Sequence, residues 1–294
     1  MVLQTGGMVT AVDPFALGAA RHPWSDDFVW SLPSAPPTTL TEAQKAAVDH
    51  DGFVVLPDAI DAATLAALTP ELDRLEEKVE TALAGLEDER FDIAEAGAIT
   101  FTVHAVVRSD AARAFSHHPT LVGAAVDLLG PDVDLYWDQA VYKKPEKPRR
   151  FPWHQDNGYT FCLPQHYVTC WVALTDATVD NGCPWVLPGA HRSGTLLHHW
   201  VDPIGWECIE DAAGAVPAEV PAGGVVVFSS LTPHLTGPNT TDAVRKAYIV
   251  QYGPHGIETV QGDWQAGAAP TGTSPCTNPK RQYPVARGGV ALGA

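Results

Sequence analysis

The chain has 294 residues, of which 45% are hydrophobic and 18% are charged. This composition is typical of a globular protein and excludes an intrinsically disordered one. The formal net charge is −17, because 35 acidic residues outnumber 18 basic ones, so nucleic acids and anionic membranes are disfavoured as partners. The five cysteines form no CxxC pair, and we find no signal peptide and no apolar run long enough to span a membrane. We therefore expect a cytoplasmic protein without disulfides.

The N-terminal part predicts an irregular segment followed by a helix and a strand. Residues 1–40 are rich in proline, serine and threonine and are expected to form an N-terminal arm whose tryptophans pack on the body. Thr41 is a typical helix N-cap residue, and the helix that it begins is expected to end at Gly52. The apolar run FVVLP then predicts a short strand.

Two longer helices are predicted before the middle of the chain. Asp61 caps the first, whose apolar residues recur at spacings of three and four and so form one face: Leu65, Leu68, Leu72, Leu75, Val79 and Leu83. The second is expected over residues 111–130, where the Gly130-Pro131 pair stops it.

From about residue 133 the pattern changes to short β-rich runs separated by turns, namely VDLYWDQAVYK, HYVTCWVALTD, GGVVVFSS and RKAYIVQYG. This pattern predicts a mainly β protein, either an antiparallel sandwich or a double-stranded barrel, with the N-terminal helices packed outside. We expect residues 41–262 to form this single domain and residues 263–294 to form a loop-rich C-terminal tail.

One motif in this region carries chemistry. His154 and Asp156 follow the apolar run FPW, and on a strand residues i and i+2 point to the same face. An imidazole and a carboxylate can therefore be aimed at one point. They make up two thirds of the 2-His-1-carboxylate triad that leaves three positions open on Fe(II).

A third ligand is expected from a distant strand. His234 lies 80 residues after His154, at the end of the run VVVFSSLTPH, and Arg245 lies eleven residues later at the start of the next strand. The strand alternation turns Arg245 inward, and a buried guanidinium needs an anion, for which a planar carboxylate is suited. Thr236 can add a hydroxyl to the same carboxylate.

This combination of motifs resembles the Fe(II)- and 2-oxoglutarate-dependent oxygenases of the phytanoyl-CoA dioxygenase (PhyH) family. The resemblance extends over about residues 40–255 and implies a mainly β fold with flanking helices, whose core is a double-stranded β-helix (a jelly roll, as in cupins). Besides the HxD motif, the distal histidine and the arginine, it includes DGFVVL at 51–56, LGP at 129–131, KP at 144–145 and NGCPWVLPGAH at 181–191.

The resemblance implies a set of cofactors and the residues that hold them. Fe(II) would be bound by His154, Asp156 and His234, with 2-oxoglutarate as cosubstrate and O₂ as oxidant. Arg245 would pair with the distal carboxylate of 2-oxoglutarate, helped by the hydroxyl of Thr236. The carboxylate of Asp156 favours hydroxylation, desaturation or oxidation over halogenation, because related halogenases replace it by a small residue so that chloride can bind.

The resemblance also suggests four further residues. Gln139 lies where relatives place a glutamine that contacts the cosubstrate, and Trp171 matches a tryptophan that recurs in the family. Tyr159 and Phe161 follow the HxD motif and are candidates for substrate contact at the barrel mouth, although packing at the rim would explain them equally well.

The expected activity is the hydroxylation of a small organic molecule, and the alanine-, glycine- and valine-rich composition suits bacterial secondary metabolism. The alternative is a cupin-like metal-dependent isomerase, or a small-molecule-binding protein, without 2-oxoglutarate turnover. A zinc hydrolase is disfavoured because no HExxH-type glutamate is present. A basic cluster at residues 143–150 can provide a docking site for a CoA ester, whereas a solvated loop is the simpler interpretation. The sequence leaves the substrate and the oligomeric state open.

Overall fold

The computed structural model describes residues 9–264 and 268–293. Its α-helices are α1 (Glu42–Asp51), α2 (Ala62–Ala84), α3 (Asp110–Phe115), α4 (Pro119–Leu129) and α5 (Asp156–Tyr159). Its strands are β1 (Phe53–Leu56), β2 (Arg90–Phe91), β3 (Ala94–Glu95), β4 (Ile99–Val103), β5 (Val133–Lys143), β6 (Phe151–His154), β7 (Cys162–Leu163), β8 (Val168–Ala173), β9 (Pro184–Val186), β10 (His199–Val201), β11 (Gly205–Glu207), β12 (Val216–Pro217), β13 (Val225–Ser229), β14 (His234–Thr236), β15 (Arg245–Pro254), β16 (Glu258–Gln261), β17 (Gly272–Pro275), β18 (Pro284–Arg287) and β19 (Val290–Ala291).

The first helix begins and ends where the sequence predicts. The Thr41 side chain accepts a hydrogen bond from the backbone N–H of Gln44, and the Gln44 side chain accepts one from the backbone N–H of Thr41. This capping box satisfies two amide groups that the first helical turn leaves unpaired. Gly52 ends the helix with a φ of +86°, a conformation that glycine adopts without strain.

The prediction of a single helix over residues 111–130 is wrong, because two helices occupy this segment. Helix α3 ends at Phe115 and helix α4 begins at Pro119. Proline has no backbone N–H to donate to the preceding turn, and it forces the residue before it out of the helical region. Proline at the first position of a new helix costs nothing, so the chain restarts there.

Two antiparallel sheets form the predicted jelly roll. The larger sheet has the strand order β1-β13-β8-β15-β5-β4-β3-β2, and the smaller sheet has the order β12-β9-β14-β6. Apolar side chains of both sheets, among them Val141, Trp171 and Phe228 from the larger and Phe151 and Val186 from the smaller, pack into one buried cluster between them. This arrangement confirms the predicted mainly β fold with flanking helices.

The helices cover the outer face of the larger sheet. Leu68, Leu72 and Leu75 of α2 are at most 3% exposed and pack, with residues of α4, against the outward side chains of the central strands. The sheet is therefore buried on both faces, which explains why every residue of strands β8 and β13 is buried.

The N-terminal arm packs on the body through its tryptophans, as expected. The indole N–H of Trp30 donates to Asp49 Oδ1 at 2.8 Å, and that of Trp24 donates to the carbonyl of Ala268 at 2.9 Å. The prediction that the C-terminal tail is loop is wrong in part, because β17 pairs with β16 and β18 pairs with β5 of the larger sheet. The domain boundaries themselves stay a prediction.

All five cysteines are free and buried. In the part of the chain that the structure describes, no helix combines the length and the apolar character that a membrane crossing requires.

Candidate functional site

Two neighbouring strands of the smaller sheet bring the two predicted histidines together. Strand β6 ends at His154, strand β14 begins at His234, and these two residues are direct cross-strand partners. Their ring centroids lie 4.1 Å apart. One antiparallel strand pairing thus brings together two histidines that lie 80 residues apart in the sequence.

Asp156 reaches the same point from the first residue of a short helical turn rather than from a continuing strand. Gln155 is still extended, with φ −107° and ψ 143°, so the side-chain alternation passes through it. The Gln155 amide points the other way and donates to the carbonyls of Gly194 and Leu231. The HxD spacing therefore works as expected, although the strand ends at His154, two residues before Asp156.

The two imidazoles are oriented with one nitrogen toward the backbone and one toward the carboxylate. Nδ1 of His154 is 2.8 Å from the carbonyl of Pro152, and Nδ1 of His234 is 2.9 Å from the carbonyl of Thr232. Each Nδ1 must donate to its carbonyl, which leaves each Nε2 as the acceptor. Both Nε2 atoms lie 3.8 Å from Oδ1 of Asp156.

This cluster can hold a metal ion, since one donor atom from each residue lies within 4.8 Å of the others. Burial lowers the pKa of His154 well below its usual value of 6.5, which keeps the imidazole in the neutral form that binds metals. Two imidazoles and one carboxylate are the donor set of non-haem iron sites, and they leave three of six positions open.

The second oxygen of Asp156 has its own support, which the sequence did not reveal. The hydroxyl of Thr169 on β8 donates to Asp156 Oδ2 at 2.5 Å, and the Gln251 amide donates to that hydroxyl at 3.2 Å. Thr169 and Gln251 are cross-strand partners in the larger sheet. In the sequence, each of the two is only a polar residue within an apolar run. The pairing that joins them connects strands that are distant in the sequence.

Arg245 is the largest fully buried side chain, at 1% exposure. Its Nη1 lies 3.4 Å from the carbonyl of Val141, while Nε and Nη2 have no partner in the described residues. The guanidinium carbon is 5.1 Å from the centroid of the Trp171 ring. Burial lowers the pKa of Arg245 to about 9. A buried guanidinium with two unpaired nitrogens fits the carboxylate of a ligand such as 2-oxoglutarate.

The remaining predicted residues are divided between the site and its surroundings. Thr236 is nearly buried on β14, and its hydroxyl makes no hydrogen bond within residues 9–264 and 268–293. Gln139 and Tyr159 line a cavity at the His154–Asp156 side of the cluster. Phe161 does not line it: its ring packs on His22, with ring centroids 4.7 Å apart. The prediction of a substrate contact for Phe161 is therefore not supported.

This cavity has a volume of about 470 Å³ and opens beside His154 and Asp156. Seven of its sixteen lining residues are aromatic: Phe91, Phe101, Tyr136, Trp137, Phe151, Tyr159 and Tyr167. Its size lies within the range of small-molecule sites, so the metal cluster faces a chamber that can receive a substrate.

Comparisons with known proteins agree with this geometry. The sequence model of the family described as "Phytanoyl-CoA dioxygenase (PhyH)" matches residues 48–247. "Phytanoyl-CoA dioxygenase domain-containing protein 1" of Danio rerio is 33% identical over 118 residues, which are 37% of this chain and only 40% of that protein. "Methylphosphonate hydroxylase" of Gimesia maris is 28% identical over 236 residues, 73% of this chain and 81% of that protein.

A solved structure shows the same fold. The epimerase SnoN, described as a complex with Fe³⁺, alpha ketoglutarate and nogalamycin RO, superposes with a TM-score of 0.61 at 24% identity and covers 86% of this chain and 95% of its own. The family match covers more than half of the chain, and the His154–Asp156–His234 cluster suits iron. The chain therefore belongs to the phytanoyl-CoA dioxygenase (PhyH) family, whose members use iron and 2-oxoglutarate.

Proposed function

We propose that this oxygenase hydroxylates a small organic molecule at the aromatic cavity beside the metal cluster. One observation carries the proposal: the complete set of two histidines and one carboxylate coexists with a buried arginine whose guanidinium has two unpaired nitrogens. A binding module or a cupin-like isomerase has no need of that second feature. When bound, iron and 2-oxoglutarate together supply the activation of dioxygen that removes a substrate hydrogen.

The residues of the chain then have distinct roles. His154, Asp156 and His234 hold the iron, while the backbone carbonyls at Nδ1 fix the ring orientation of the two histidines. Arg245 pairs with the distal carboxylate of 2-oxoglutarate, and the free hydroxyl of Thr236 adds a hydrogen bond to it. Trp171 packs under the guanidinium and holds it in place.

Asp156 supports hydroxylation as the outcome. Its carboxylate occupies a ligand position that a halogenating enzyme would leave to chloride. Gln139 lines the cavity, as does Tyr159, and we assign the first to the cosubstrate side and the second to substrate contact. The alanine- and glycine-rich composition and the nogalamycin ligand of SnoN support a place in bacterial secondary metabolism.

An anaerobic titration tests the cofactor assignment. Adding Fe(II) and then 2-oxoglutarate to the metal-free protein should produce the visible charge-transfer band of a chelated keto acid. Asp156→Ala and His234→Ala should abolish the band, because each removes a metal ligand. His199→Ala, which changes an exposed histidine, should keep it. Folded protein that binds iron without a band would refute the proposal and favour the cupin-like alternative.

Arg245→Met tests the anchor separately from the metal. We expect the 2-oxoglutarate concentration at half-maximal band intensity to rise by about tenfold or more, because a charge-assisted pair is worth roughly 1.5–3 kcal/mol. The Fe(II) affinity should not change. Arg192→Met at an exposed position is the control. An unchanged 2-oxoglutarate requirement would contradict the role of Arg245.

Product analysis tests the reaction outcome. Compounds that stimulate succinate release would be recovered after the reaction, and their masses would be measured by mass spectrometry. A gain of one oxygen atom is the result expected for hydroxylation. An unchanged mass, as for an epimer, or a loss of two hydrogens would refute hydroxylation while keeping the cofactor assignment.

A further inference from the structure

The lining of the 470 Å³ cavity lacks the groups that bind anions. No lysine or arginine is among its sixteen residues, and besides its three tyrosines the titratable members are Asp92, His154 and Asp156. Phosphate and carboxylate groups of ligands are bound by guanidinium and ammonium groups or by helix N-termini. A substrate held by its negative charge would find no such partner in this chamber.

The basic cluster before β6 does not supply an anion site either, because the structure pairs its members. Lys143 is buried, and its ammonium donates to the backbone carbonyls of Arg149, Thr236 and Gly237. The other four basic residues each lie within ion-pair distance of a carboxylate, in the pairs Lys144–Glu76, Lys147–Glu89, Arg149–Glu95 and Arg150–Glu207. The interpretation of this cluster as a docking site for a CoA ester is not supported.

The aromatic lining forms two groups that flank the metal ligands. Phe151 contacts His154 edge-on, with ring centroids 4.8 Å apart, and stacks near Tyr159 with an interplanar angle of 17°. Tyr136 and Tyr167 form a second pair with ring centroids 4.9 Å apart. Aromatic rings bind other rings through stacking and edge contacts that saturated chains cannot make.

Apart from the exposed carboxylate of Asp92, the free hydrogen-bonding groups of the lining are uncharged. In the described residues, the Tyr167 hydroxyl has no hydrogen-bond partner, the Gln251 amide uses only its Nε2, and the Gln139 amide uses only its Oε1. Burial raises the pKa of Tyr167 well above its usual value, so its phenol stays neutral. The hydroxyl of Tyr167 and the amide oxygen of Gln251 match hydroxyl and carbonyl substituents of a ligand, whereas the Gln139 amide is assigned above to the cosubstrate.

The loaded site would add no net attraction for an anion. With iron and the 2-oxoglutarate dianion bound as proposed above, their formal charges and those of Asp156 and Arg245 cancel. The exposed carboxylate of Asp92 then remains at the rim of the cavity. Its field repels anions.

We infer that the substrate is an uncharged ring compound with hydroxyl or carbonyl substituents, bound with a ring face on the aromatic lining and its polar groups at Tyr167 and Gln251. This inference rests on the proposed function and names its substrate class.

Three fluorescent probes that share one ring system and differ in charge test this inference. Fluorescence anisotropy of 1-pyrenemethanol, 1-pyrenesulfonate and 1-pyrenemethylamine would be measured with the full chain, loaded anaerobically with Fe(II) and 2-oxoglutarate. We expect the alcohol to bind about tenfold more tightly than the sulfonate and no more weakly than the amine. A sulfonate or an amine that binds about tenfold more tightly than the alcohol would overturn the inference, as would the absence of binding by all three.

Variants locate the probe in the cavity. Trp137→Ala and Phe101→Ala remove lining rings and should weaken 1-pyrenemethanol binding about fivefold each. Trp200→Ala, at a 42% exposed position outside the lining, is the matched control and should have no effect. Equal affinities in all variants would place the probe elsewhere and overturn the inference, as would displacement of 1-pyrenemethanol by octanoyl-CoA at similar concentrations. The charge-transfer band needs no substrate, so its failure would count against the proposed function alone.

Discussion

Thr169 holds the carboxylate of the candidate metal cluster through Oδ2, whereas Oδ1 lies near the two histidines. Oδ1 of Asp156 is equidistant from both Nε2 atoms, whereas Oδ2 accepts the Thr169 hydroxyl. This division leaves one carboxylate oxygen for a metal and prevents the group from turning. Thr169 is 1% exposed, so no solvent replaces its hydroxyl.

Thr169→Val should lower the affinity for Fe(II) by about tenfold, the lower end of the range for lost outer-sphere hydrogen bonds. Valine has nearly the same shape but cannot donate to Asp156 Oδ2. The dissociation constant would be measured by anaerobic Fe(II) titration. Thr169→Ser keeps the hydroxyl and should restore most of the affinity. If the valine variant bound Fe(II) like the wild type, with both metal-free variants equally stable, Asp156 would not depend on this bond.

The sequence predicts the candidate metal ligands but not the residues that support them. The candidate ligands His154 and Asp156 were recognisable because a spacing of two on an extended segment is a local property. Phe161 packs against the arm, whose His22 ring covers it, and no local sequence pattern indicates that contact. Thr169 was missed because its role requires the register of two strands that are distant in the sequence.

At the element scale, the C-terminal segment supports the strand that carries part of the cavity wall. Arg281 donates to Nε2 of His104, and the His104 ring contacts that of Trp137 edge-on with centroids 4.2 Å apart. His104 has a φ of +54°, in the left-handed region that non-glycine residues rarely adopt. The neighbouring Gln282 amide lies 3.4 Å from the carbonyl of Tyr136.

Arg281→Ala should therefore weaken 1-pyrenemethanol binding about threefold, because the loss of one hydrogen bond of ordinary strength frees His104 and Trp137 to move. The charge-transfer band with Fe(II) and 2-oxoglutarate should stay unchanged. Lys280→Ala, at the adjacent exposed position, is the control. A weaker band with normal probe binding would assign Arg281 to the metal site instead of the cavity wall.

The central elements were predictable from the sequence and the peripheral ones were not. Strand β5 coincides with the run VDLYWDQAVYK, because its valine, tyrosine and tryptophan residues form a clear strand signal. Strands β17 to β19 are two to four residues long, and they form through pairing with partners that no local pattern reveals. The break before Pro119 was readable from the proline alone.

Across the whole molecule, three buried histidines outside the metal cluster make the free energy of unfolding depend on pH. His22, His191 and His198 are at most 3% exposed. Burial lowers the pKa of His22 to about 4 and the pKa values of His191 and His198 to about 3. In the unfolded chain these side chains return to a pKa of about 6.5, so the unfolded state binds more protons between pH 7 and pH 4.

Stability should consequently fall as the pH drops below 6.5, since protons are taken up on unfolding. From pH 7 to pH 5 each of the three histidines costs about 2 kcal/mol, so the free energy of unfolding should decrease by about 5 kcal/mol or more. Urea unfolding of the metal-free protein at pH 7, 6 and 5 measures this decrease.

His22→Asn tests one of the three histidines. In the folded protein the backbone N–H of Trp24 donates to Nδ1 of His22 at 3.1 Å, and the asparagine side chain preserves an acceptor for it. This variant should reduce the pH dependence of the free energy of unfolding by about 2 kcal/mol. His199→Asn, at an exposed position, should leave it unchanged. A free energy of unfolding that stays constant from pH 7 to pH 5 would mean that these histidines are protonated in the native state, which their burial argues against.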